Sequence, residues 1–486
     1  MTRPLATPLL ALLAGLSGAA CTGSDALDAK PAAEAAAVPA AYAFDYACAN
    51  RPTLDPSSPQ FLAGDILPAK SQQTVNCYAW QSFVAMLWPA DAAERGMPDR
   101  TATAATFGAP RSAAAPPPPL AVFETLMPVH QVFLPGGAEP APWGASAPST
   151  ASCGGEGPGR TLVQTAKVSD QLLQNGAHPP QVLGLIPDTE PDTTGGQAGS
   201  RRQLFDVRDR VVWYEEFVNR AEYAYIRANR LYEQNAQRSY AQMKGIVLPA
   251  GVAASGETVQ TWQDLGAMEV KASWRELTDA PDEWAQYHVA NACLEGADGS
   301  FRPAVLGMVG FHIIRKTTQM QRFMWSTFEH VSNAPDRDAD PSGDYSFYDA
   351  SCDTCPEAQC DGPTATGEQV NVVRCYPLDG DVEALNEQMH DLIQAANPAS
   401  VATNYVLVNA SWPEGPDRSP AMAGATIPLD IEGMTSSGGL PVANTTLETY
   451  LQTKSCIDCH KHAATAADHS LATDYSFIFG RAQPAR

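Results

Sequence analysis

Five residues near the C-terminal end constrain the rest of the chain: Cys456-Ile457-Asp458-Cys459-His460. Two cysteines three positions apart fall on one helical turn, and the histidine that follows projects from the same turn. This is the spacing at which two thiols form thioether bonds to the vinyl groups of a haem while the imidazole binds its iron. Only 26 residues follow His460, and none is methionine. A small self-contained module that takes a distal Met from several dozen residues downstream does not fit in that length. The expectation is one covalently bound haem c, with Cys456, Cys459 and His460 as its attachment and proximal iron-binding residues. It would sit on a C-terminal segment, 441–486, cradled by the upstream chain.

That upstream chain is large enough for the task. The protein has 486 residues, of which 44% are hydrophobic and 17% charged, so a sizeable core is available. Its 36 glycines and 40 prolines point to long irregular connections between elements. A net charge of -23 argues against a nucleic-acid partner, since phosphate binding requires clustered Lys and Arg. There is no Gly-x-Ser-x-Gly, no His-Glu-x-x-His and no phosphate loop, so hydrolase and nucleotide readings have no support.

The first twenty residues read as a signal peptide, with Arg3 ahead of an apolar stretch around Leu9 to Leu16 that is too short to span a bilayer. Gly18-Ala19-Ala20-Cys21 resembles a bacterial lipoprotein signal cut before a lipidated cysteine, although Gly18 stands where an aliphatic residue is usual. That resemblance implies an exported protein anchored through Cys21 to the outer membrane and facing the periplasm. The simpler alternative is secretory cleavage after Ala20. Residues 21–45, rich in Ala with scattered Pro, read as a flexible tether. Export suits the cysteine count. Setting aside Cys21, Cys456 and Cys459 leaves eight, an even number that permits four disulfides. Cys352, Cys355, Cys360 and Cys375 also have the makings of a zinc site, but disulfides are preferred in an oxidising compartment.

The segment 46–440 is expected to form one large α+β domain with a mainly antiparallel β core, helices and long loops. Helical spacing appears at Tyr78–Trp88 and, most strongly, at 206–237, where Val211, Tyr214, Val218, Ala221, Tyr225, Ala228 and Tyr232 recur every three to four residues. Strands are predicted at Met268–Arg275, Val305–Lys316, Phe323–Val331 and Tyr405–Trp412. Thr445 and Glu448 form a capping-box pattern ahead of the cysteines, and Asp474–Arg481 reads as an apolar closing segment.

A sixth iron ligand decides between carrier and catalyst. His330 and His312, 18 residues apart on two predicted strands, are distal candidates if a hairpin centred near Met320 brings them face to face. The alternative is that both are satisfied core histidines. His469, Met422 and Met434 are further candidates. Lys271 and Arg275, two strand positions on one face, are candidates for the anionic haem propionates, or else surface cations.

Several stretches together resemble a known family. They are Glu269-Val270-Lys271-Ala272-Ser273-Trp274-Arg275-Glu276-Leu277, Trp325-Ser326-Thr327-Phe328-Glu329-His330-Val331, Asn444-Thr445-Thr446-Leu447-Glu448-Thr449, the Cys-x-x-Cys-His motif, and Asp474-Tyr475-Ser476-Phe477. The family is the bacterial "cytochrome c family" proteins, large exported proteins with one haem motif near the C-terminus. The resemblance spans roughly residues 75–486 and implies haem binding and periplasmic exposure, with an unidentified periplasmic redox partner. It implies no particular activity. Three readings follow: an electron-transfer protein, a haem enzyme or small-ligand sensor with an open sixth site for peroxide, oxygen or nitric oxide, or a partner-binding structural lipoprotein.

Overall fold

The structure is a computed structural model that describes residues 48, 52–58, 61–62, 64, 71–114, 118–145, 204–252, 262–295, 301–339, 341–358, 360, 370–416 and 418–486. The expected signal peptide and tether, with Cys21, lie outside the described residues.

Alternating side chains at 268–276 and 301–330 build the centre of one antiparallel sheet. Its strands are β1 (Met127–Pro128), β2 (Trp213–Val218), β3 (Met268–Glu276), β4 (Val289–Glu295), β5 (Phe301–Arg315), β6 (Met324–His330), β7 (Tyr405–Pro413) and β8 (Met434–Ser436). They lie in the order β1-β2-β3-β5-β6-β7-β8, with β4 pairing along the outer half of the long β5. The helices are α1 (Gln72–Leu87), α2 (Arg220–Ala228), α3 (Gln234–Met243), α4 (Gly380–Ala396) and the single turn α5 (Cys456–His460). The α+β class and the antiparallel core read from the sequence are thus observed.

Residues opposite one another in neighbouring strands share a face, and the register separates two faces of different chemistry. One carries Phe217, Val270, Ile313, Ala272, Phe311, Phe328 and Leu407. Helix α1, capped by Ser71, lies against it. Phe83 stacks on Phe328 at 4.3 Å, and Trp80 meets the same ring edge-on at 5.1 Å. Trp80 also donates its indole N–H to Asn386 of α4 (2.9 Å), so α1 is held between sheet and helix. The opposite face carries Glu216, Lys271, His312, Thr327, Trp325 and Ser411, and it is polar.

The C-terminal segment covers that polar face. Asn444 donates to the Thr327 hydroxyl (3.0 Å) and the Phe328 carbonyl (2.8 Å). The Thr445 amide and hydroxyl both donate to Glu329 (2.9 and 2.8 Å), and Thr446 pairs with Ser273 (2.7 Å). Gly310 faces this layer because nothing larger fits: a Cβ there would stand 2.4 Å from the Thr446 hydroxyl and 2.5 Å from that of Ser273. Farther on, Arg481 reaches Glu216 at 2.6 Å.

Two local expectations are corrected. The helix predicted at 206–237 is instead strand β2 followed by α2, with Asn219 between them accepting from the Glu222 amide as the helix cap (3.1 Å). Tyr214 is consequently a strand residue whose hydroxyl donates to the Thr446 carbonyl. The capping pattern at Thr445 and Glu448 starts a series of turns, not a helix, and Asn444 is its cap: Glu448 accepts from the Asn444 amide (2.8 Å) and Asn444 from that of Thr446 (2.9 Å).

Disulfides within the described residues pair Cys48 with Cys77, Cys352 with Cys355 and Cys360 with Cys375, so the four cysteines weighed as a zinc set are paired with one another. Among the described residues no helix is long and apolar enough to cross a membrane.

Candidate functional site

Helix α5 begins at Ser455, whose amide and hydroxyl both donate to Asp458 at 3.0 Å. The single turn so fixed places Cys456, Cys459 and His460 on the polar face of the sheet. Cys456 Sγ lies 3.8 Å from Ser411 Oγ on β7, and the His460 ring lies 5.4 Å from that of Trp325 on β6. Phe477 packs against His460 at 5.1 Å.

The orientation of His460 is set by one hydrogen bond. Its Nδ1 lies 2.7 Å from the Tyr475 carbonyl, an acceptor, so Nδ1 carries the proton and Nε2 keeps its lone pair. Fixing one imidazole nitrogen in this way is how a ligating histidine is oriented toward a metal. The turn that presents the carbonyl is unusual: Asp474 and Tyr475 both have positive φ, 55° and 69°, a region that non-glycine residues seldom occupy. The Asp474 carboxylate anchors it, pairing with the buried Lys316, accepting from Ser419, and accepting from the Leu248 amide at 2.7 Å.

Charges gather around His460. Burial pushes its pKa down to about 4, and Lys271 and His312 act in the same direction, while the Tyr475 carbonyl and Glu448 oppose them. Thus the imidazole is neutral at physiological pH. Burial, with Glu448 nearby, pushes the Cys456 thiol up to about 12. His312 Nε2 sits 3.3 Å from Glu448 Oε2, without a well-directed hydrogen bond. Burial alone would raise the Glu448 pKa, but His312, the Asn444 amide and Lys271 outweigh it and hold the carboxyl below its usual range.

The two distal candidates part company here. β5 and β6 place His312 opposite Thr327, so His330, three residues beyond Thr327, points to the other face of the sheet. The expected pair of facing histidines is not formed. Both ring nitrogens of His330 are engaged, Nδ1 with the Ser332 hydroxyl (2.8 Å) and Nε2 with the Gln286 carbonyl (2.9 Å), and the ring stacks on Tyr287 at 4.1 Å. His330 is a satisfied core histidine. His312 shares its face with Trp325 and Lys271 and stands within the field of His460. Arg275 is neither a surface cation nor open to a propionate: it is 4% exposed and tied to Asp206, Glu283, Tyr287 and Ser346. Met422 is 62% exposed and His469 lies at the surface.

The donor set and the Nε2 orientation fit a c-type haem. The two thiols are not equivalent, however: Cys456 is free, whereas Cys459 takes part in a disulfide. Thioether formation needs that sulfur released. Among the described residues no group of three or more His, Cys, Asp or Glu side chains is arranged to hold a bare metal ion. The roles of Tyr475, Asp474 and Lys316 escaped the sequence reading, for no local pattern links residues 316, 460 and 474. No family model matches the chain, and neither a curated protein nor a solved structure matches it.

Proposed function

We propose that this chain is a monohaem c-type cytochrome-like lipoprotein that faces the periplasm and transfers single electrons to or from a periplasmic partner. The observation that carries the reading is the Cys456-x-x-Cys459-His460 turn with His460 Nδ1 bonded to the Tyr475 carbonyl. Cys456 and Cys459 would hold the haem and His460 Nε2 its iron. When bound, the group supplies a one-electron couple. The chain's own residues do the rest. Trp325 and Phe477 fix the imidazole plane, the Tyr475 carbonyl raises its basicity as a ligand, and Lys271 offers a cation for an anionic propionate. Lipid attachment at Cys21 belongs to the same proposal and follows from the signal-like residues 1–21.

One observation favours a second reading, a haem enzyme or small-ligand sensor. His312 lies on the same sheet face with Nε2 in no directed hydrogen bond and a carboxylate beside it, an arrangement suited to proton transfer. Absorbance spectra of haem-loaded protein, oxidised, reduced and reduced with carbon monoxide, separate the two. A low-spin spectrum indifferent to carbon monoxide is the expected result and supports electron transfer. A prompt shift on carbon monoxide, altered by His312→Ala, supports the catalyst or sensor.

A further inference from the structure

Close to the turn at 474–476 lies a buried group of acids that electron transfer does not require. Glu222, in the first turn of α2, is 0% exposed, and neither of its carboxyl oxygens has a hydrogen-bond partner. Glu269 of β3 is 8% exposed, and its Oε1 is likewise unpartnered. The two carboxyls face one another. Four charged groups stand around them, from three further parts of the chain: Glu216 from β2, Lys316 just after β5, and Asp474 and Arg481 from the C-terminal segment, with the Ser476 hydroxyl also close to Glu269. The cations among these are committed elsewhere, Lys316 to Asp474 and Arg481 to Glu216.

Two buried carboxylates without a cation of their own cannot both stay ionised. We infer that Glu222 and Glu269 are a proton-binding site, holding one proton between them and sensing pH beneath the segment that bears His460. A bound metal cation is the other way to neutralise such a pair, but the Lys316 ammonium already stands in the group, and no metal-binding arrangement is present among the described residues. Burial raises both pKa values, that of Glu269 to about 7.

The sign follows from linkage. A carboxyl whose folded pKa lies above its unfolded value binds more protons when folded, so its stabilising effect is complete below the unfolded pKa of 4.5 and is lost as pH rises through about 7. One proton changes the unfolding constant by up to about tenfold per pH unit in that window.

The test is urea unfolding of the full-length chain between pH 5 and pH 8, followed by tryptophan fluorescence, for wild type, Glu222→Gln and Glu269→Gln. Glutamine keeps the shape of the neutral acid and removes the shared proton, so each variant is expected to lose about tenfold per pH unit of the wild-type slope. Equal slopes in all three proteins overturn the inference. If neither variant folds, infrared spectroscopy of the wild type decides. A deuterium-sensitive carboxylic-acid band at pH 6 that fades by pH 8 supports the shared proton, and its absence refutes it. Calcium chloride that stabilises wild type but not Glu222→Gln would also overturn it, in favour of a cation site.

Discussion

Asp474 and Tyr475 carry the most instructive backbone in the molecule. A non-glycine residue held at positive φ costs on the order of 1–3 kcal/mol, and here two in succession are held at 55° and 69°. The return is a carbonyl pointed at His460 Nδ1. Asp474 offsets the strain through its contacts with Lys316, Ser419 and the Leu248 amide. Removing one partner of a buried ion pair leaves the other uncompensated, so Asp474→Ala is expected to destabilise the fold by about 3–5 kcal/mol. In a double-mutant cycle with Lys316→Met, denaturant unfolding should recover much of that loss, because the stranded ammonium is gone. Additive losses would mean that the two residues act independently. At this scale the sequence was legible only where chemistry follows spacing. Cys456, Cys459 and His460 were readable from their order alone, whereas the partner of His460 is a backbone carbonyl, which has no residue-type signature. His330 misled for a related reason: a hairpin centred near Met320 would set it opposite His312, but the observed register pairs His312 with Thr327 and puts His330 on the other side.

Among the elements, strands were read more faithfully than helices. β3, β5, β6 and β7 alternate or run continuously apolar as half-buried and buried strands do. The 206–237 stretch failed because β2 is buried on both faces, and its Tyr and Val positions fall by coincidence at helical intervals with those of α2. Asn219 was the signal overlooked, a helix cap in the middle of the supposed helix. Helix α4 was missed too, although Asp379 caps it and Val382, Leu385, Met389 and Ile393 form its buried stripe. Between elements, the decisive joint is the layer where residues 444–446 meet β3, β5 and β6. Gly310→Ala tests it: the added methyl must displace Thr446 or Ser273. Overpacking of this kind costs about 1–3 kcal/mol. The expected outcome is lower stability in urea together with faster proteolytic cleavage within 444–486. Cleavage at the wild-type rate would mean that the segment does not depend on this seat.

For the molecule as a whole, the sheet divides the labour. One face is an ordinary aromatic core built on α1, where Trp80, Phe83, Phe311 and Phe328 supply rigidity. The other face is a polar platform whose Lys271, His312, Trp325 and Ser411 are brought together from β3, β5, β6 and β7 beneath one helical turn near the C-terminus. The short motif near the C-terminus therefore rests on polar and aromatic residues that four strands bring together. The central claim, that the tail carries a covalent haem, is tested most directly by export of the full-length chain in a bacterium able to mature c-type haem, followed by denaturation and haem staining of the separated chain. The account predicts haem that stays with the denatured wild-type chain and is absent from the Cys456→Ala, Cys459→Ala double variant. A wild-type chain without haem, or a double variant that retains it, would contradict the account.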